Sequence, residues 1–248
     1  MLRSLPPLAR VKFRRRLVTM ALQPAARPIV VQPSAPHSAS VVWLHGLGDT
    51  GAGWADVGPQ LSASLPHARF IFPTAPQQPV TLNGGSRMTA WFDISSLSDI
   101  EAQEDEAGLN WSVDYTESLV TAEVAAGVLR SRVVLAGFSQ GGAVALLAGL
   151  RSPAALGGVV ALSTWLPLAK SFPAQLGAAA REAPIFMAHG TQDQVVRPEY
   201  GQRSCDAAKA LGVTASMQLY RMPHSATPEE LADVTRFLLE RLPPVAAL

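Results

Sequence analysis

One cysteine, Cys205, stands in a chain of 248 residues, which excludes an internal disulfide and fits a reducing compartment. It falls in a predicted helix and reads as a small buried side chain. No cluster of cysteine and histidine has the spacing of a zinc site, and the acids at 99–106 lack the spacing of a calcium loop, so no metal is expected. G-x-x-x-x-G-K-[ST] does not occur, so that phosphate cradle is missing. No uninterrupted apolar run is long enough to span a bilayer. Acid is absent from the first 48 residues; Asp49 is the first carboxylate.

That last absence hides behind a net charge of +1. Seven of the 20 basic residues precede Asp49, which leaves 13 against 19 acids in the remainder. The body is therefore mildly acidic and offers no nucleic-acid surface. Residues 1–27 are arginine-rich, with Pro6, Pro7 and Pro24 interrupting any long helix. They have the composition of a transit peptide for a mitochondrion or chloroplast; the alternatives are a disordered extension, or a start at Met20. The folded domain is expected over 28–248. At 48% hydrophobic it can bury the core of one α/β domain.

The chain is organised around Val133-Val134-Leu135-Ala136-Gly137-Phe138-Ser139-Gln140-Gly141-Gly142 and the apolar run after it. A buried strand, then G-x-S-x-G, then a helix place the serine on a sharp turn, with glycines where a Cβ would collide. A glycine-rich turn with an incidental serine is the competing reading, and the rest of the chain has to choose. Ser40-Val41-Val42-Trp43-Leu44 is an earlier buried strand, ending in His45-Gly46-Leu47-Gly48-Asp49. An α/β hydrolase needs such a loop to lend one N–H to an oxyanion hole. Leu47 is the candidate donor, and Gln140 supplies the second. His45, at a strand end before glycine, suits a structural histidine bonded to backbone.

Further strands are expected at 68–73, 156–162, 184–188 and 214–221, with helices at 112–129, 143–150, 199–211 and 228–241. This alternation specifies a mostly parallel central sheet with helices on both faces. Residues 73–98 read as one long functional loop. Its Val80, Leu82, Met88, Trp91 and Phe92 are candidates for an acyl groove, with Trp165 and Leu166 as a further wall. The acids at 99–106 read as a solvated surface, as do Asp206 and Asp233.

A serine nucleophile needs a base and an orienting acid, in the chain order Ser, Asp or Glu, His. Only His189 and His224 follow Ser139. His189 precedes the best acid, Asp193, whereas His224 lies between the last strand and the last helix. Ser139, Asp193 and His224 satisfy order and placement together, which argues against a non-catalytic binding protein.

HGLGDTG at 45–51, PTAP at 73–76, MTAWFDI at 88–94, QEDE at 103–106, GFSQGG at 137–142 and ALSTWLP at 161–167 together resemble the acyl-protein thioesterases. These form a carboxylesterase/lysophospholipase-like branch of the α/β hydrolases, and the similarity spans roughly 39–242. The resemblance implies hydrolysis of S-palmitoyl thioesters on protein cysteines, with esterase and lysophospholipase activity. It implies acylated proteins or lysophospholipid and ester substrates as partners, transient membrane contact, no cofactor, a monomer or weak homodimer, and a cytoplasmic location. A small-molecule carboxylesterase or lysophospholipase without a protein substrate is the alternative.

Overall fold

A computed structural model describes residues 22–245. The transit-peptide expectation therefore falls mostly outside the described residues. The sheet itself starts earlier than expected: strand β1 is Ala26–Val31, so Ala26 and Arg27 belong to the fold and not to an extension. After it come β2 (Ala39–Leu44), the short helices α1 (Gly51–Ala55) and α2 (Val57–Ser64), and β3 (Ala68–Thr74). Strands β4 (Gln77–Val80) and β5 (Ser86–Thr89) form a separate antiparallel hairpin. Helix α3 (Glu106–Ala125), β6 (Val133–Phe138), α4 (Gln140–Leu150) and β7 (Gly158–Leu162) follow. The chain closes with β8 (Ile185–Gly190), α5 (Pro198–Ala210), β9 (Ala215–Tyr220) and α6 (Pro228–Arg241).

The main sheet has seven strands in the order β1-β3-β2-β6-β7-β8-β9, and only β1 runs antiparallel to its neighbour. Its central strands are apolar on both faces, as parallel strands covered by helices must be. Alternation with period two sorts them into two cores. Val42, Leu44, Leu135 and Ala161 pack with Leu109 and Val120 of α3 and with α4. Val41, Trp43, Val134 and Val160 pack on the other face with Trp54 of α1, Leu61 of α2 and Val234 and Leu238 of α6. All eleven residues of α4 are buried, because this helix lies inside the first core and has no solvent face. Among the described residues no helix is long and apolar enough to cross a membrane.

Four expectations are corrected by local hydrogen bonding. Residues 73–98 do not form one open loop, because the hairpin consumes Gln77 to Thr89. Helix α3 starts at Glu106, six residues before the expected 112, because Asp105 caps it: one carboxylate oxygen accepts from the Gly108 N–H at 2.9 Å. The other accepts from the Asp93 N–H at 2.9 Å. Glu104 likewise accepts from the Leu168 N–H at 2.6 Å, so this acidic run holds loops together and is not merely solvated. Asp233 also has a partner, accepting from the Tyr220 hydroxyl at 2.6 Å.

Helix α6 carries Glu230 in its first turn, fully buried and with neither carboxyl oxygen hydrogen-bonded among the described residues. Burial pushes this carboxyl up from 4.5 to about 8. Between those values the unfolded chain has released the proton that the folded chain keeps, so each rise in pH favours unfolding. Glu230→Gln cannot ionise. Its melting temperature is expected to overtake that of the native chain progressively from pH 5 to pH 8; a constant difference would remove Glu230 from the linkage.

Candidate active site

The turn between β6 and α4 fixes the position of Ser139. A Cβ on Gly137 would lie 2.4 Å from the Gly141 carbonyl carbon, and one on Gly141 would lie 2.2 Å from the Leu44 oxygen. Strand, helix and β2 therefore meet at backbone distance, which only glycine permits. Ser139 itself is held at φ 53°, a region non-glycine residues seldom occupy. The surroundings over-determine it: its N–H donates to Leu162 O at 2.8 Å, and its carbonyl accepts from the Thr164 hydroxyl at 2.6 Å. Strain of this kind at a reactive side chain persists only with such support.

His224, between β9 and α6, approaches with Nε2 3.0 Å from Ser139 Oγ. Its Nδ1 lies 2.6 Å from Asp193 Oδ2, between β8 and α5. A carboxylate only accepts, so Nδ1–H donates to Asp193 and Nε2 is left to accept from the serine hydroxyl. The Phe138 ring, 4.7 Å from the His224 ring centroid, supports the imidazole from one side.

Asp193 is saturated. Its Oδ1 accepts from the N–H groups of Val195 and Val196, both at 2.9 Å. Its Oδ2 also faces His189 Nε2 at 3.3 Å. Burial by itself raises the Asp193 carboxyl, but the hydrogen bonds from His189, His224 and the Val196 N–H outweigh it and hold the group well below the usual carboxylate range. His189 is fully buried and donates from Nε2 to Val196 O at 2.8 Å. It thus pins the loop that carries the acid, a role its place before Asp193 in the sequence did not disclose.

The two expected oxyanion donors flank the serine. Leu47 lines the cavity at Ser139, and Gln140 opens α4, where an N–H has no partner within the helix. Among the described residues neither N–H is engaged elsewhere. The Gln140 side chain has a second role that sequence reasoning missed. Its Oε1 accepts from the Trp91 N–H at 2.8 Å and its Nε2 donates to Phe92 O at 2.7 Å, so a buried amide ties the elbow to the segment before Asp93. His45 is structural, as expected: Nδ1–H donates to Gly46 O at 2.7 Å and Nε2 accepts from the Ala75 N–H at 3.0 Å. Burial lowers its proton affinity, which keeps the ring neutral in that arrangement.

A cavity of about 410 Å³ opens on Ser139 and His224. Its apolar wall comes from Leu47, Trp54, Ile94, Leu97, Phe138 and Trp165. Of the seven residues expected to line an acyl groove, only Trp165 is in this wall. Trp91, Phe92 and Leu166 are buried in the first core, Val80 is buried in the hairpin, Leu82 packs on the core from outside, and the Met88 sulfur accepts from Asn83 Nδ2 at 3.2 Å. The hairpin accounts for the difference. It takes up Val80 and Met88, and the residues after it, Ile94 and Leu97, reach the cavity instead.

The fold is that of an α/β hydrolase, with Ser139, His224 and Asp193 hydrogen-bonded in series at the ends of its strands. The sequence profile of the phospholipase/carboxylesterase family matches residues 25–241, and the chain belongs to that family. It is 44% identical over 234 residues to acyl-protein thioesterase 1 of Mycosarcoma maydis, covering 88% of this chain and 98% of that one. It is 42% identical over 226 residues to acyl-protein thioesterase 1 of Gibberella zeae, covering 88% and 96%. Among solved structures, Zea mays acyl-protein thioesterase 2 superposes with a TM-score of 0.78 at 34% identity, over 87% of this chain and 99% of that chain. Arabidopsis thaliana SOBER1 gives 0.78 at 35% identity, over 83% and 99%. The chain is accordingly a hydrolase.

Gln140→Ala would orphan the buried Trp91 N–H and Phe92 carbonyl, each costing about 1–3 kcal/mol. A loss of about 2–6 kcal/mol in chemical denaturation is expected. An unchanged midpoint would mean that solvent replaces the amide.

Proposed function

We propose that this hydrolase removes long-chain acyl groups from protein cysteines as thioesters, and cleaves related carboxylic esters, through Ser139, His224 and Asp193. The observation that carries the reading is the unbroken hydrogen-bonded relay from Asp193 through His224 to Ser139 beside an apolar cavity. The proton of the serine hydroxyl passes to His224 Nε2 as Oγ bonds to the thioester carbonyl carbon. The carbonyl oxygen, now negative, is received by the Leu47 and Gln140 N–H groups, each such donor being worth about 3 kcal/mol of barrier. The C–S bond then breaks, and the sulfur leaves with the proton held on Nε2. Water gives a proton back to Nε2 and its oxygen to the acyl carbon; the C–Oγ bond breaks, the fatty acid departs and the serine is reprotonated. Asp193, ionised throughout, keeps Nδ1 protonated and stabilises the imidazolium between steps.

The compartment belongs to the same proposal. A reducing cytoplasm is where protein cysteines carry acyl groups instead of disulfides. The arginine-rich residues 1–27 carry none of the reacting groups, and a mitochondrial or chloroplast address for them would leave the chemistry as written.

A fluorophosphonate probe is expected to label the native chain, and Ser139→Ala to lose labelling and hydrolysis by about 10⁴-fold or more while melting normally. Full labelling of the alanine variant would place the nucleophile elsewhere. The native chain should also prefer a palmitoyl-cysteine peptide to p-nitrophenyl acetate in kcat/KM; the reverse preference would make it a small-ester carboxylesterase.

The cavity wall makes its own prediction. Each acyl CH₂ buried there contributes roughly 0.8 kcal/mol, so Leu97→Asp should weaken long-chain substrates by about tenfold or more and acetate esters far less. Equal losses on both would show that Leu97 supports the fold.

A further inference from the structure

A second cleft, of about 1030 Å³, adjoins the reactive centre, and its walls share only Val195 and His224 with the apolar cavity. Those two side chains form the partition. The cleft is built by the loop from β8 to α5, with Thr191, Gln192 and Gln194 exposed, by Glu199 in the first turn of α5, and by Pro223 beside His224.

We infer that this cleft holds the thiol-bearing side of the substrate, an extended polypeptide segment around the acylated cysteine. The inference rests on the thioesterase reading given above and specifies its leaving group.

Geometry supplies the first argument. The carbon attached to Ser139 Oγ carries three further groups: the oxyanion, the acyl chain and the sulfur. The oxyanion is taken by the N–H groups of Leu47 and Gln140, and the acyl chain by the apolar cavity. The sulfur must lie where His224 Nε2 can protonate it. Whatever is attached to that sulfur continues past His224, and the open volume there is this cleft.

Chemistry supplies the second. Among the described residues, the side chains of Thr191, Gln192, Gln194 and Glu199 make no hydrogen bond or ion pair to another residue. Amide and hydroxyl side chains both donate and accept, which matches a backbone presenting one N–H and one C=O per residue. A phosphate-bearing head group would need cations. Arg197 is the one basic residue in the wall, its guanidinium already donates to Ser98 O at 3.3 Å, and Glu199 stands two residues away. The apolar cavity across the partition offers no such polar array, so the two sides of His224 sort the two halves of the substrate.

The test uses three substrates with one shared octanoyl group: an S-octanoyl cysteine in the middle of a peptide, the S-octanoyl thioester of a small thiol, and octanoyl lysophosphatidylcholine. The native chain is expected to favour the peptide over the small thioester by about tenfold in kcat/KM, through KM. In Gln192→Ala/Gln194→Ala, and separately in Glu199→Ala outside the acid loop, that ratio should fall toward one. The same peptide with a free cysteine should inhibit the native chain competitively.

A native ratio near one overturns the inference, as does a ratio that survives both changes. Absence of inhibition by the free peptide overturns it too. A larger loss on the lysophospholipid than on the peptide would assign the cleft to a head group instead. Failure of the native chain to hydrolyse any of the three would defeat the thioesterase reading itself, a result distinct from the others.

Discussion

Backbone contact at the Ser139 turn is the constraint on which the rest depends. Gly137 and Gly141 let β6, α4 and β2 approach until no side-chain carbon fits between them. That closeness forces Ser139 to positive φ and sets it beside the first N–H of α4. It also brings the end of β2 alongside the elbow, and with it the His45–Leu47 loop that lines the cavity. The fully buried α4 follows from the same requirement, because a helix pressed this tightly against its sheet has little surface left for water. Position of the serine, direction of the helix dipole and placement of the Gln140 N–H are consequences of one packing decision.

Around that fixed point the second element is the loop of the acid. Asp193 accepts from two backbone N–H groups and faces two histidines, and each contact stabilises the charged form. An ionised carboxylate buried this deeply would be costly without them. The contacts replace the water it has lost, so the carboxylate can stay charged inside the protein and fix the tautomer of His224. His189 and Val196 close the loop on the far side.

Much of the fold was legible because the central strands are apolar on both faces and alternate with helices. That pattern requires a parallel sheet covered twice, and the order Ser139, Asp193, His224 placed the relay at the strand ends. The misses share a cause: one-dimensional patterns do not show which neighbour a residue meets. Strand β1 is half exposed and interrupted by Pro28, so it lacked the pattern of a strand until β3 paired with it. The β4–β5 hairpin hid behind Pro79 and Gly84-Gly85, which read equally well as loop. Apolarity of Trp91, Phe92 and Leu166 was real, but it reports burial, and these residues spend theirs in the first core. Leu97 and Ile94 line the cavity without any sequence signal that separates them from those three.

The Gln140 clamp has a consequence for how such an enzyme can diverge. In the proposed mechanism one residue offers its main chain to the reacting carbonyl oxygen, while its side chain holds Trp91 and Phe92, just before the cavity-lining Ile94. On that mechanism, a substitution that re-shapes this stretch to admit a different fatty chain pulls on the same peptide plane that is assigned to the oxyanion. Substrate range and turnover are then pleiotropic: they share a mechanical part, and adaptation toward a new acyl length must cross variants in which catalysis is disturbed. Changes on the other side of His224 meet no such coupling through Gln140, which leaves the exposed Thr191, Gln192, Gln194 and Glu199 the freer of the two surfaces to drift.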